Sequence, residues 1–102
     1  MKSNIVFLCL VFGFVGSTFA NEAAYKICVT CHAEDGSGIV AMNSPAIAGQ
    51  EIWYLERQLN NFKTGLRGTN QSDIFGMQMR PMAITLATDE IVSSVAKYVN
   101  TM

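Results

Sequence analysis

Cys28-Val29-Thr30-Cys31-His32 gathers the only histidine of the chain and two of its three cysteines into five consecutive positions. Side chains of these types bind metals, form disulfides or do redox chemistry, so a chain that concentrates them folds around that one spot. What surrounds the stretch decides which of these chemistries it can carry.

Residues 1–20, MKSNIVFLCLVFGFVGSTFA, carry one lysine near the start, an apolar run from Ile5 to Val15, and small residues ending at Ala20. That order predicts an export signal cleaved after Ala20, with Thr18 and Ala20 at the two small-residue positions. A retained membrane anchor is the competing reading, but Gly13, Gly16, Ser17 and Thr18 interrupt the run, which falls short of the ~20 residues a span needs. Cys9 is expected to leave with the signal, and the VFLC around it lacks the small residues that precede a lipidated cysteine. Residues 21–102 then form one domain of 82 residues, with no stable membrane insertion after cleavage. Six basic residues face eight acidic ones in it, a formal charge of −2 that offers no basic patch for nucleic acid. A domain this small buries a marginal core and usually needs a disulfide, a metal or a cofactor.

Three stretches carry helical patterns. Asn21 to Cys31 has an asparagine cap, a glutamate in its first turn, and Ala24, Ile27, Cys28 and Cys31 at helical spacing. Gln50 to Lys63 repeats Ile52, Leu55, Leu59 and Phe62 at three and four, between Gly49 and Gly65. The last, TDEIVSSVAKYVN, sets Thr88 as cap, Asp89 and Glu90 in the positive first turn, and Lys97 near the end. Ile91, Val92, Val95 and Val99 make its apolar face. No segment alternates with period two, so the expected class is all-α. The connections, roughly 33–49 and 64–87, exceed the length usual for compact domains and hold Ile39, Val40, Met42, Ile47, Ile74, Phe75, Met77, Met79 and Met82. Loops so apolar are expected to wrap a large apolar object at the centre.

The opening stretch names that object. C-x-x-C-H is the attachment signature of a c-type haem. Cysteines three apart near a helix end face one side and can both join the vinyl groups of one porphyrin, and the following histidine can bind the iron axially. Three other readings compete. A thioredoxin-like pair wants a helix N-terminus after a strand, and here no strand precedes. A zinc site wants a fourth ligand, but residues 21–102 hold no further cysteine or histidine. A disulfide across two residues closes too short a loop to stabilise much.

CVTCH, PAIAGQ at 45–50, YLERQL at 54–59, NFKTGLRG at 61–68, MQMRPMAITL at 77–86 and EIVSSVAKYV at 90–99 follow in an order that resembles class I cytochrome c, in its small soluble single-haem bacterial branch. The resemblance implies three main helices with long loops around one haem. It implies that Cys28 and Cys31 hold the haem covalently, that His32 is the proximal ligand, and that the Pro45 carbonyl accepts the other imidazole N–H. It sets the first and last helices across each other, with Ala24 and Ile27 against Val95 and Tyr98. Tyr54 and Arg67 are candidates for the haem propionates, beside the plainer readings of a packed tyrosine and a solvated arginine. Ala33 departs from the glycine often found after the histidine. For the sixth ligand the register points to Met79, seven residues before Leu86, with Met82 as runner-up. Pro81 is expected to keep Arg80 out of helix and leave Met79 on extended chain.

A histidine and a methionine together would close both axial positions to substrate, and the thioether raises the potential. The expected function is a monomeric periplasmic single-electron carrier, not an enzyme. Its partners would be membrane respiratory complexes, periplasmic dehydrogenases, or a terminal oxidase or reductase. The alternative is a haem-carrying subunit docked on a specific oxidoreductase. A third reading, a ligand-binding haem with an open iron site, would show five-coordinate iron.

Overall fold

The computed structural model of the chain describes residues 16–102 together with Leu8 and Leu10. Most of the expected export segment, Cys9 included, lies outside the described residues. The described residues are helical: α1 Gly16–Tyr25, α2 Val29–His32, α3 Ile52–Thr64, α4 Ile74–Ile84 and α5 Asp89–Asn100, with short 3-10 turns at Lys26–Cys28 and Val40–Met42. Among them the only strand-like pairing is an isolated bridge between Ile39 and Ser44. No described helix is long and apolar enough to cross a membrane.

Two helices form for the reasons expected. In α3, Leu55, Leu59 and Phe62 recur on one face and are buried, while Trp53 and Tyr54 on the other side stay exposed. Gly65, at φ 84°, ends the helix. In α5 the Thr88 hydroxyl accepts the Ile91 N–H at 3.2 Å, and Asp89 and Glu90 sit at the positive end of the helix dipole. Its buried face is Val92, Val95, Ala96 and Val99. Ile91, expected on that face, lies on its flank at 36 % exposure. Burying each such valine or leucine is worth roughly 1.5–3 kcal/mol, and α3 and α5 together supply most of the buried apolar side chains among the described residues.

Three expectations need correction. Asn21 does not cap the first helix, because the backbone is already helical from Gly16, and the helix tightens into a 3-10 turn before Cys28. In the packing of α1 on α5, the central side chain is Tyr25, 2 % exposed, with its ring 5.3 Å from that of Tyr98. Ala24 packs against the core as expected, whereas Ile27 is 38 % exposed. The connection 64–87 is not a loop throughout, since α4 fills its second half, and Met79 therefore lies on a helix and not on extended chain. The physical reason is local and tertiary together. Asp73 caps α4 by accepting the Gly76 N–H at 2.9 Å, and α4 packs along α3. Pro81 is exposed in the third turn, where its ring costs α4 the hydrogen bond to the Met77 carbonyl without ending the helix. The bias of a proline on its predecessor is a preference, and here packing outweighs it.

Candidate haem-binding site

The chain turns sharply just after His32. Ala33 adopts φ 68° and ψ 164°, a conformation close to glycine-only territory. Two hydrogen bonds hold it there: its N–H donates to the Val29 carbonyl at 2.9 Å, and the buried Tyr25 hydroxyl donates to its carbonyl at 2.6 Å. The departure from glycine noted in the sequence therefore changes the cost of the turn and not its course.

Beyond the turn the loop folds back over the imidazole. The Gly38 N–H donates to the His32 carbonyl at 2.9 Å, and the Ile47 and Ala48 N–H groups both donate to the Gly36 carbonyl. Gly38, at φ 83°, lies so close to residues 44–46 that a Cβ would stand 2.7 Å from the Ser44 oxygen, the Pro45 carbonyl carbon and the Ala46 nitrogen. This contact of backbone on backbone brings Pro45 to the histidine. His32 is buried at 8 % exposure, with Nδ1 2.8 Å from the Pro45 carbonyl oxygen. A carbonyl can only accept, so Nδ1 carries the proton and the lone pair of the neutral imidazole is left on Nε2. A neutral imidazole with a free Nε2 is the form that binds a metal.

Cys28 and Cys31 are unpaired and half-buried. Burial first, and the neighbouring Cys31 second, push the Cys28 thiol up to about 11. A thioredoxin-like cysteine needs the opposite shift, toward an easily formed thiolate. Among the described residues no three carboxylate, cysteine or histidine side chains gather as a metal cage, which leaves the zinc reading without ligands.

The remaining sequence candidates lie apart from this loop. Tyr54 is on α3, 40 % exposed, with its ring set edge-on to Trp53. Arg67, just after α3, donates to Gln58 Oε1 at 2.7 Å and lies 4.4 Å over the Phe62 ring. Met79 is partly buried against the core, Met82 is also half-buried, and Met77 is exposed. Sequence reasoning missed Tyr25 and Gly38. The first looks like any helix tyrosine, and the only signal for the second is the pair of glycines in Asp35-Gly36-Ser37-Gly38.

Two thiols three positions apart, followed by a buried imidazole with its proton fixed on Nδ1, on an all-α frame, define a covalent haem carrier of the c type. The chain belongs to the cytochrome c family, whose model matches residues 19–102. It is similar to the thiosulfate dehydrogenase electron acceptor of Stutzerimonas stutzeri, 38% identical over 88 residues, covering 82% of this chain and 38% of that protein. It is also similar to cytochrome c4 of Thiocapsa roseopersicina, 36% identical over 85 residues, which cover 82% of this chain and 40% of that protein. Cytochrome c4 of Azotobacter vinelandii is 33% identical over 72 residues, 71% of this chain and 32% of that protein. The chain thus spans about a third to two fifths of the length of the curated relatives it matches. Membership of that family implies a covalently bound haem c.

The surface fits that cofactor. Among the described residues ten apolar side chains are buried, while eleven large ones between Ile27 and Ile91 remain more than a third exposed, among them Met42, Ile74, Phe75 and Met77. So small a core beside so much open apolar surface suits a fold completed by a large apolar group.

Proposed function

We propose that this chain is a periplasmic single-electron carrier with His32 and Met79 as axial ligands of one haem. The observation that carries the reading is the 2.8 Å contact of His32 Nδ1 with the Pro45 oxygen, which frees Nε2 for iron and fixes the ring plane. Cys28 and Cys31 would hold the haem through two thioether bonds, one to each vinyl group. Each bond would form by addition of a thiol across a vinyl group, the thiol proton passing to the neighbouring vinyl carbon with no oxidant consumed. The burial that keeps the Cys28 thiol protonated suits such an addition.

Met79, partly buried on α4, would supply the sulfur ligand to the iron. With both axial positions filled, the protein's role is to bind, shield and tune the haem, and the thioether stabilises the reduced state. Tyr54 and Arg67 remain candidates for the propionates, Arg67 through whatever donors Gln58 leaves free. Export after cleavage at Ala20 places the carrier in the periplasm. Partners are redox proteins there, and the similarity to a thiosulfate dehydrogenase electron acceptor supports a dehydrogenase as donor. Membrane complexes or a terminal oxidase or reductase serve as the other partner.

A second reading is a haem subunit held on one oxidoreductase, supported by the similarity to a protein named as the electron acceptor of a single dehydrogenase. Gel filtration of the native material separates the two, since a free carrier elutes near its monomer mass. The ligand assignment is tested by replacing Met79 and Met82 in turn with leucine. Only Met79→Leu should abolish the weak sulfur-to-iron charge-transfer band and lower the potential sharply, and loss of the band in Met82→Leu alone overturns it.

A further inference from the structure

Trp53 is the only tryptophan of the chain, and it stands 57 % exposed near the start of α3. The haem is not what covers it. Successive residues of a helix turn by about 100°, so Trp53 and Arg57 lie roughly 150° or more round from the buried face of Leu55, Leu59 and Phe62. A group that completes the core from within leaves that outer side of α3 open.

The outer side carries its own arrangement. The Arg57 guanidinium lies over the Trp53 indole, with Cζ 5.0 Å from the ring centroid, and the Tyr54 ring meets the indole edge-on with centroids 5.9 Å apart. The face of the indole holds the cation. Arg57 is exposed, and among the described residues no carboxylate pairs with it, so its fork of N–H donors is free for an acceptor from outside. The surrounding charge has the same sense. Residues 51–80, which take in α3, α4 and the turn between them, hold four of the domain's six basic residues, Arg57, Lys63, Arg67 and Arg80, against three acidic ones, whereas the remainder holds two against five. This segment is net positive in a domain whose net charge is negative.

We infer that Trp53 and Arg57 form the anchor on which an acidic protein surface docks. Tryptophan and arginine are the residue types that most often carry the binding energy of an interface, and here they are stacked beforehand, so little side-chain freedom is left to lose on docking. The indole offers a flat apolar contact, and Arg57 sets a carboxylate-binding fork beside it. Lys63 and Arg67 add longer-range attraction. A lipid surface fits less well, because beyond Trp53 the exposed stripe runs Arg57, Asn60 and Thr64, with no apolar face to enter a bilayer. The inference rests on the reading of the chain as an electron carrier between proteins and specifies the surface its partner presents.

The test uses the haem-loaded protein and its Trp53→Ala, Trp53→Phe, Arg57→Gln and Lys97→Gln variants. Each is reduced by the periplasmic fraction, or oxidised in air by a detergent extract of the membranes, of the bacterium that makes it, and initial rates against its concentration give KM and kcat. Trp53→Ala and Arg57→Gln should each raise KM about tenfold, with kcat and the reduction potential unchanged. Trp53→Phe should restore most of the wild-type KM, and Lys97→Gln, on the exposed side of α5, should leave it unmoved. Rising salt should raise the wild-type KM more than that of Arg57→Gln. Wild-type KM values in both Trp53→Ala and Arg57→Gln overturn the inference and leave the carrier reading standing. A wild-type haem that neither fraction turns over defeats the carrier reading and the inference with it. Sedimentation with phosphatidylglycerol vesicles that is lost in Trp53→Ala, with KM unmoved, makes this surface a membrane contact and overturns the protein partner.

Discussion

The loop on the histidine side, residues 33–49, and the segment on the methionine side, residues 64–87, are both long and apolar in sequence, but they are built differently. The first is tied down by its own backbone. Residues 36, 38, 39, 44 and 47–49 exchange hydrogen bonds with one another or with His32 and Val99, and Ala33, Gly38 and Asn43 take positive φ to make the turns. The second is a run of turns followed by one capped helix, α4, that leaves Ile74, Phe75, Met77 and Ile84 exposed and encloses the Nε of Arg80 without a partner. Backbone hydrogen bonds fix the histidine end, although Val40 and Met42 stay exposed there, whereas the methionine end leaves most of its large apolar side chains open. Hydrogen bonds cover short distances and fix the first; an apolar face needs another surface to meet and leaves the second unfinished.

Removing the cofactor is the strongest way to break this comparison. Cys28→Ala with Cys31→Ala should abolish both the colour and cooperative melting, because apolar surface of α4 then has nothing to cover it. Hydrogen exchange should reveal the asymmetry: amides of α4 exchange at or near the unfolded rate, while those of Gly38, Ile47 and Ala48 retain the most protection left in the chain. A haem-free variant that melts cooperatively at a similar temperature would refute the contrast.

Glycine replacements sharpen it at each end. Gly38→Ala puts a methyl group 2.7 Å from three backbone atoms at a residue with φ 83°, and should cost about 2–3 kcal/mol in denaturant unfolding of the haem protein. Gly68→Ala meets a similar obstruction against α4. The spectroscopic results should differ, since Gly68→Ala weakens the methionine charge-transfer band and Gly38→Ala leaves it in place. If both variants lose the band equally, the two ends are not independently supported.

Tyr25→Phe removes the hydroxyl that binds the Ala33 carbonyl at 2.6 Å, and should destabilise by about 1–2 kcal/mol in the same unfolding experiment. Burial, the largest cause, with Cys28, Asp35 and Tyr98 adding, pushes this phenol up to about 12. Its protonated form is therefore favoured by folding. The stability it contributes is fully present below pH 10 and is lost as pH rises from there toward 12, so wild type and Tyr25→Phe should converge in that alkaline window.

The smallest effect has the opposite sign. Ala33→Gly should stabilise the protein by about 1 kcal/mol, because relief of a side chain at φ 68°, ψ 164° outweighs the added freedom of glycine in the unfolded chain. A destabilised Ala33→Gly would mean that the turn after His32 carries no strain.

The sequence by itself determined the chemistry and the two most regular helices. Cys28, Cys31 and His32 are neighbours along the chain, and α3 and α5 announce themselves through apolar spacing, with Thr88 adding a cap on α5. All of these signals are local, so a reading confined to short windows can find them. The tertiary structure decided what depends on approach between distant segments. That Met79 rides on a helix follows from the packing of α4 on α3 against the preference set by Pro81. That Pro45 reaches His32 follows from the absence of a side chain at Gly38, and that Tyr25 braces Ala33 follows from its burial beneath α5. No window of sequence shows Arg80 as a buried donor without an acceptor, because burial and satisfaction are properties of the surroundings and not of the residue.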